Sequence, residues 1–391
     1  MDAGCRARER RALLDAIEEG AERALDLARW MHGHPELSLE ETGTSARYRA
    51  LLEADGFHVD WPVAGLETAF VADRGAETAP LRVALLAEMD ALPEIGHACG
   101  HSLSGPASLL AASALRRVLE PADLALRVVG CPAEETGVGK RVLAEAGVFD
   151  SCAAALMAHA SDMRRAHRLF LGTRKFEFIF HGRAAHAAAY PERGVNALDG
   201  VIATFVAIGL LRQQLPREVR VHGIVSEGGA APNVIPERAA ARFWVRALEA
   251  AELDAATQRV MQCARGAASA TGTRLEVQED PNASPPLRAN LPLAAVYRAQ
   301  LESLGLAETP HPPAARIGSS DITHVSQVTP TIHPNFPIGA GLQLHTRAFA
   351  AAAGSARGEA GMLEAARALA LTCLALARDP EARRAVAEAI R

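Results

Sequence analysis

The chain has 391 residues, of which 49% are hydrophobic and 22% charged, with a formal net charge of −5. That length exceeds what one hydrophobic core usually serves, so two domains are expected of a globular protein of ordinary composition. The acidic balance argues against nucleic acid as a partner. Met1 to Arg11 lacks the apolar core of a signal peptide, and no uninterrupted apolar run approaches the roughly 20 residues that span a bilayer, so a cytoplasmic protein with no membrane partner is expected.

Along the chain, Leu13, Ile17, Ala21, Leu25 and Ala28 recur at helical spacing within Arg8 to Met31, and Thr44 to Ala54 reads as a second helix closed by Gly56. Ala69 to Ala72 and Leu81 to Leu86 are short apolar runs of the kind that form buried strands. Gly105 to Leu119 is expected to be helical, with further strands at Leu126 to Gly130 and Ala154 to Met157. Strands alternating with helices imply an α/β domain with a mostly parallel sheet. The pattern then changes. Lys175 to Phe180, Val219 to Val225, Ala241 to Arg246 and Arg274 to Gln278 read as strands, with helices at Val195 to Leu215 and Ala251 to Ala270. That order is the ferredoxin-like α+β one. Pro281 to Pro286 closes it as a linker, and helices alternate with short strands again from Leu291. The expected organisation is an α/β domain, 1–172 and 287–391, interrupted by an α+β domain, 173–286.

Three strand exits carry the chemistry-bearing residues. Cys99 and His101 follow the run Leu81 to Leu86 and its acidic exit. Glu134 and Glu135 follow Leu126 to Gly130, and His159 ends the run Ala153 to Ala158. A thiolate and imidazoles suit zinc, manganese or a similar divalent ion, and ligand sites in open α/β sheets form at the carboxyl ends of strands. Each group alone has a plainer reading, as a buried cysteine, a solvated acidic pair or a structural histidine. Neighbouring carboxylates point different ways, so one of the pair suits a metal and the other the proton of an activated water. His345 is the best candidate for a last ligand, with His324 and His333 as competitors that spacing does not eliminate. Asn233 and Arg246 suit a substrate carboxylate, or are a turn former and a solvated strand residue. The remaining cysteines, Cys5, Cys131, Cys152, Cys263 and Cys373, are too scattered for a disulfide framework and read as free thiols.

These stretches resemble the binuclear metallopeptidase, aminoacylase and carboxypeptidase G family. The branch is the amidohydrolase one with a Cys-Gly-His motif, on the side of aminobenzoyl-glutamate hydrolases and β-alanyl-lysine dipeptidases. The resemblance rests on Ala87 to His101, Pro132 to Lys140, Phe180 to Pro191, Gly194 to Leu198, Gly228 to Glu237, Gly318 to Ser326 and His345 to Phe349. It implies a catalytic domain with two divalent ions per chain, zinc or manganese first and cobalt or nickel as alternatives. It also implies an inserted lid through which the chain forms a homodimer. By this resemblance Cys99 bridges the ions and His101, Glu135, His159 and His345 complete their shells. Glu134 is the general base, Asp90 orients a ligand, and His186 stabilises the oxyanion. Asn233 and Arg246 hold substrate, and the turn containing Ser320 faces it. The implied reaction is hydrolysis of a small amide or dipeptide, such as an N-acyl amino acid, an aminoacyl-lysine type dipeptide or an aminobenzoyl-glutamate-like conjugate. Hydrolytic deamination of a small amine and a non-catalytic binding protein are the alternatives. The chain departs from the branch pattern at Ser102, where aspartate or asparagine is usual, and at Thr136 to Gly139, which is less glycine-rich.

Overall fold

The computed structural model describes residues 3–310 and 317–389. They form two compact units, one built from residues up to Arg168 and from Arg288 onward, the other from Leu169–Leu287 with Ile317–Ser319.

The first unit holds a six-stranded sheet in the order His58–Asp60, Phe70–Arg74, Ala125–Cys131, Arg82–Glu88, Ala154–Leu156, Thr331–Ile332. Its first two strands run antiparallel to their neighbours, and the remaining pairings are parallel. Arg82–Glu88 is flanked by parallel strands on both sides and buried from Val83 to its end, as a continuous apolar run in a covered sheet should be. The helix His101–Val118 lies on this strand and packs against the helices Ala3–Gly33 and Ala356–Arg378. A separate parallel pair joins His159–Ser161 to Asn335–Pro337.

Two details differ from the sequence expectation. Ala356–Arg378 is long and apolar enough to cross a membrane, a length the sequence conceals because Arg367 interrupts its apolar run; 72% of its most apolar window is buried inside the protein, as in a core helix. The helix expected from Gly105 begins at His101. Gly100, with φ 85°, turns the chain directly from Cys99 into the helix, and a Cβ there would lie 2.6 Å from that of Ala160. The added turn buries His101, Ser102 and Ser104, polar residues that carry no apolar periodicity.

The second unit is a four-stranded antiparallel sheet in the order Arg274–Glu279, Gly172–His181, Arg238–Ala247, Arg220–Glu227. The helices Ala197–Leu211 and Ala250–Thr271 pack on it over a core that includes Phe176, Phe178, Phe180 and Phe243. Asn196 caps the first helix by accepting the Leu198 N–H. The protein is thus an α/β fold with a mostly parallel sheet, interrupted by a ferredoxin-like α+β unit.

In the first unit Asp55, buried beyond the end of the helix Thr42–Ala54, accepts from Arg23, Ser113 and Arg116. Burial alone would raise its carboxyl, but these hydrogen bonds and guanidinium charges outweigh it and hold it low. Asp55→Asn is therefore expected to cost about 2–4 kcal/mol in denaturant unfolding at neutral pH. A depressed native value stabilises the protein above the ordinary value of 3.8 and ceases to do so as pH falls through the lowered one, so the gap between variant and parent should close in acid.

Candidate active site

Glu88 ends the strand Arg82–Glu88, Glu134 and Glu135 follow shortly after Ala125–Cys131, and His159 follows Ala154–Leu156. All of them therefore lie on the carboxyl side of the parallel strands of the first unit. Cys99 and His101 reach the same place at the start of their helix. Cys99, His101 and His159 form one group whose ligand atoms lie within 4.8 Å of one another, and Cys99, His101, Glu134 and Glu135 form a second. Cys99 and His101 belong to both.

Hydrogen bonds orient the imidazoles. His101 Nδ1 is 2.8 Å from the Asp90 carbonyl oxygen and 3.2 Å from Asp90 Oδ1, so its proton is held there and Nε2 faces the cluster. His159 Nδ1 donates to the Ala160 carbonyl at 2.7 Å, which leaves Nε2 at 3.5 Å from Cys99 Sγ. Burial drives the His159 pKa down to about 4, so the ring is neutral near pH 7. Burial also pushes the Cys99 thiol up, and a thiolate there calls for a neighbouring cation. His101 Nε2 and Glu135 Oε1 are buried without a hydrogen-bond partner. Unpartnered nitrogen and carboxylate lone pairs beside a buried sulfur fit a divalent metal ion. His345, exposed, places Nε2 3.4 Å from Glu135 Oε2, while His333 is buried against the His159 ring at 5.2 Å. These two histidines thus border the cluster, on different sides. His324 lies on the helix Ile322–Val328.

Glu134 is nearly buried, and desolvation, followed by the charge of Glu88, raises its pKa well above the ordinary carboxylate value. Asp90 Oδ2 accepts from the Glu135 N–H at 3.0 Å and from Ser38 Oγ at 2.7 Å. The loop leaves the cluster through Gly137, with φ 74°, and Gly139, where a Cβ would sit 1.7 Å from the Pro132 carbonyl oxygen. The less glycine-rich run thus retains glycine at both positions.

Three residues at the cluster carried no sequence signal of their own. Lys140 is wholly buried, with Nζ 2.6 Å from Glu88 Oε1 and 2.5 Å from Asp321 Oδ1. Burial alone would raise the Glu88 carboxyl, but the Lys140 ammonium outweighs it and holds it ionised. Asp321, within the turn expected to face substrate, is committed to Lys140. Ser320 beside it is half-buried and accepts from the Ile322 N–H.

In the second unit, His186 and Asn233 share one pair of loops, through a bridge between His186 and Val234 and the Ala187 N–H donated to the Asn233 carbonyl. Both are exposed. His186 Nδ1 accepts from the Ala188 and Ala189 amides, so Nε2 carries the proton and is a donor. Arg246, half-buried, donates to Ser319 Oγ at 3.1 Å and lies 5.0 Å from the Trp244 ring centre.

A family model described as the peptidase dimerisation domain of M20 proteins matches residues 171–271. Over 379 residues the chain is 36% identical to the Xaa-Arg dipeptidase of Mus musculus, covering 93% of this chain and 88% of that one. The chain belongs to the M20 peptidase family. It is also 33% identical over 346 residues to one of the polypeptides of the p-aminobenzoyl-glutamate hydrolase of Escherichia coli K12, covering 82% and 69% of the two chains. A Bacillus subtilis protein described as a dinuclear metal binding peptidase from the M20 family superposes with a TM-score of 0.71 at 21% identity. The match covers 90% of this chain and 98% of that one, and shows the shared M20 fold.

Removing the Lys140 ammonium would leave two buried carboxylates facing each other. Lys140→Met is expected to destabilise the protein by about 3–5 kcal/mol, read from denaturant unfolding, and Lys140→Met with Asp321→Asn to recover part of the loss.

Proposed function

We propose that this M20 protein is a metal-dependent hydrolase of small dipeptides or amides. The observation that carries the reading is the cluster in which two ligand groups share Cys99 and His101, with Glu134 inside one of them. Divalent ions held by Cys99, His101, Glu135, His159 and His345 would polarise the scissile carbonyl and acidify a water near neutral pH. Two such ions per chain accord with the dinuclear description of the Bacillus subtilis neighbour, and zinc and manganese suit this donor set ahead of cobalt and nickel.

Glu134 takes a proton from the attacking water and delivers it to the departing amine. Asp90 keeps the His101 proton on Nδ1 and fixes the backbone beneath Glu135, so both ligands present lone pairs. His186 offers an Nε2–H donor suited to a developing oxyanion. Asn233, Arg246 and Ser320 serve as substrate-binding groups, with the guanidinium of Arg246 suited to a carboxylate. The names of the relatives at 36% and 33% identity support a substrate that ends in an amino acid, either an Xaa-Arg dipeptide or an aminobenzoyl-glutamate-like conjugate. Among the described residues no two cysteines form a disulfide, which suits a reducing, cytoplasmic setting.

The second unit is the one to pair with a second copy of this chain. Ile202, Val206 and Leu210 form an exposed apolar stripe along the helix Ala197–Leu211, and Ile224 and Val225 are exposed on the edge strand Arg220–Glu227. Such a patch beside an open strand edge is an interaction surface. Val206→Glu with Leu210→Glu is expected to convert a dimer to a monomer in light scattering. An unchanged mass would sink this interface.

The reaction is tested on Xaa-Arg and Xaa-Lys dipeptides and aminobenzoyl-glutamate with metal-reconstituted protein. Glu134→Gln is expected to lower kcat by roughly 10²- to 10⁴-fold while bound metal is retained. Wild-type turnover by that variant would remove Glu134 from the chemistry.

A further inference from the structure

The segment that carries Glu134 and Glu135 is held from below by three buried carboxylates drawn from distant parts of the chain. The Ala133 N–H donates to Glu41 Oε1 at 2.8 Å, the Glu135 N–H to Asp90 Oδ2 at 3.0 Å, and the Lys140 N–H to Asp321 Oδ2 at 2.9 Å. Asp90 and Asp321 have further work, on His101 and on the Lys140 ammonium. Glu41 differs. It is wholly buried, its second oxygen accepts from Thr68 Oγ1 at 2.7 Å, and it pairs with no cationic side chain among the described residues.

A carboxylate in that setting is costly, and a hydroxyl and one amide are modest compensation. What it secures is unusual backbone. Ala133 sits at φ 56°, the left-handed region that disfavours a residue with a Cβ by about 1–2 kcal/mol. The carbonyl of Ala133 is held as well, accepting from the Val138 N–H and Thr136 Oγ1 at 3.2 Å each. Both faces of this strained residue are therefore tied, and the next residue is Glu134. The Glu41 side chain reaches the Ala133 amide with one oxygen and Thr68 with the other.

We propose that Glu41 is a positioning residue for Glu134: by fixing the Ala133 amide it sets the direction in which the Glu134 side chain leaves the loop. The inference rests on the reading of Glu134 as the general base. Reach matters in this role and charge does not, because Glu41 acts through one accepted hydrogen bond.

Two substitutions separate reach from charge. Glu41→Gln keeps an acceptor oxygen at the same distance, whereas Glu41→Asp keeps the charge and withdraws it by one methylene. With reconstituted protein and an Xaa-Arg dipeptide, Glu41→Asp is expected to lower kcat roughly 10- to 100-fold, the scale of a small misplacement at a reacting centre. KM and bound metal should stay as in the parent, and amide hydrogen exchange should quicken in the peptide containing Ala133 to Glu135. Glu41→Gln is expected to retain kcat within about threefold and to keep that peptide protected. If Glu41→Asp does not fold, Thr68→Val decides, since it frees the other end of the same carboxylate; unchanged kcat and exchange in it would overturn the proposal. A Glu41→Asp protein more active than Glu41→Gln would overturn it too, because charge would then be what counts. So would joint loss of metal, KM and kcat, which marks a merely structural part. Full activity in Glu134→Gln would instead bring down the underlying reading, while an inactive Glu134→Gln beside an unimpaired Glu41→Asp would bring down this inference alone.

Discussion

Buried carboxylates set the terms for the catalytic unit. Glu41, Glu88, Asp90 and Asp321 have almost no exposure, and an uncompensated carboxylate in such a place would ionise only at a prohibitive cost in lost hydration. Each is met by its own combination of partners. Glu88 has the Lys140 ammonium, Asp321 has the same ammonium and a backbone amide, Asp90 has His101, Ser38 and an amide, and Glu41 has an amide and a hydroxyl. The backbone around the cluster is shaped to deliver these partners. The three amides come from one short segment, from Ala133 to Lys140, and the imidazole at the head of its helix arrives through a left-handed glycine. What these contacts leave uncompensated, at His101 Nε2 and Glu135 Oε1 beside Cys99 and His159, is a donor set that suits a divalent ion.

The same economy separates the protein's two tasks. The candidate ligands and Glu134 come from the unit with the parallel sheet, whose core is continuous with its helices. The second unit has its own phenylalanine-rich core and can keep its loops exposed, His186 and Asn233 among them, without drawing on the first for stability. Exposed loops tied by a few backbone bonds suit groups that must meet a changing ligand, whereas a metal shell needs fixed geometry.

Much of this was legible in the sequence wherever one physical signal dominated. Apolar runs marked the buried strands, and their ends marked Cys99, His101, Glu134, Glu135 and His159. The strand–helix order of the second unit was equally plain. Glu41, Glu88 and Lys140 were not legible as site residues, because a charged side chain reads as solvated until a fold shows it buried and paired. Asp321 lies in the turn that the resemblance places against substrate, and its pairing with Lys140 has no signal in the sequence. The left-handed backbone at Ala133 is invisible too, since alanine carries none of the signal that glycine does. The helix beginning at His101 was placed too late because its first turn buries serines and a histidine. Spacing does not rank His333 and His345, and the structure brings one beside Glu135 and the other beside His159.

The chain order of these parts has a consequence for how the protein is made. The strand Ala154–Leu156 finds its neighbour Thr331–Ile332, and His159–Ser161 finds Asn335–Pro337, only after the whole second unit has been synthesised. Because domains tend to fold as units in the order they emerge, a nascent chain holds Cys99, His101, Glu134, Glu135 and His159 on an open-edged sheet while the intervening unit completes itself. Asp321 and His345 are still to come at that stage. The buried Lys140 thus waits for one of its two counter-ions, and the cluster for the imidazole of His345, until after the second unit has been made. The unit that carries the cluster is therefore completed last and stays exposed to misassembly longest.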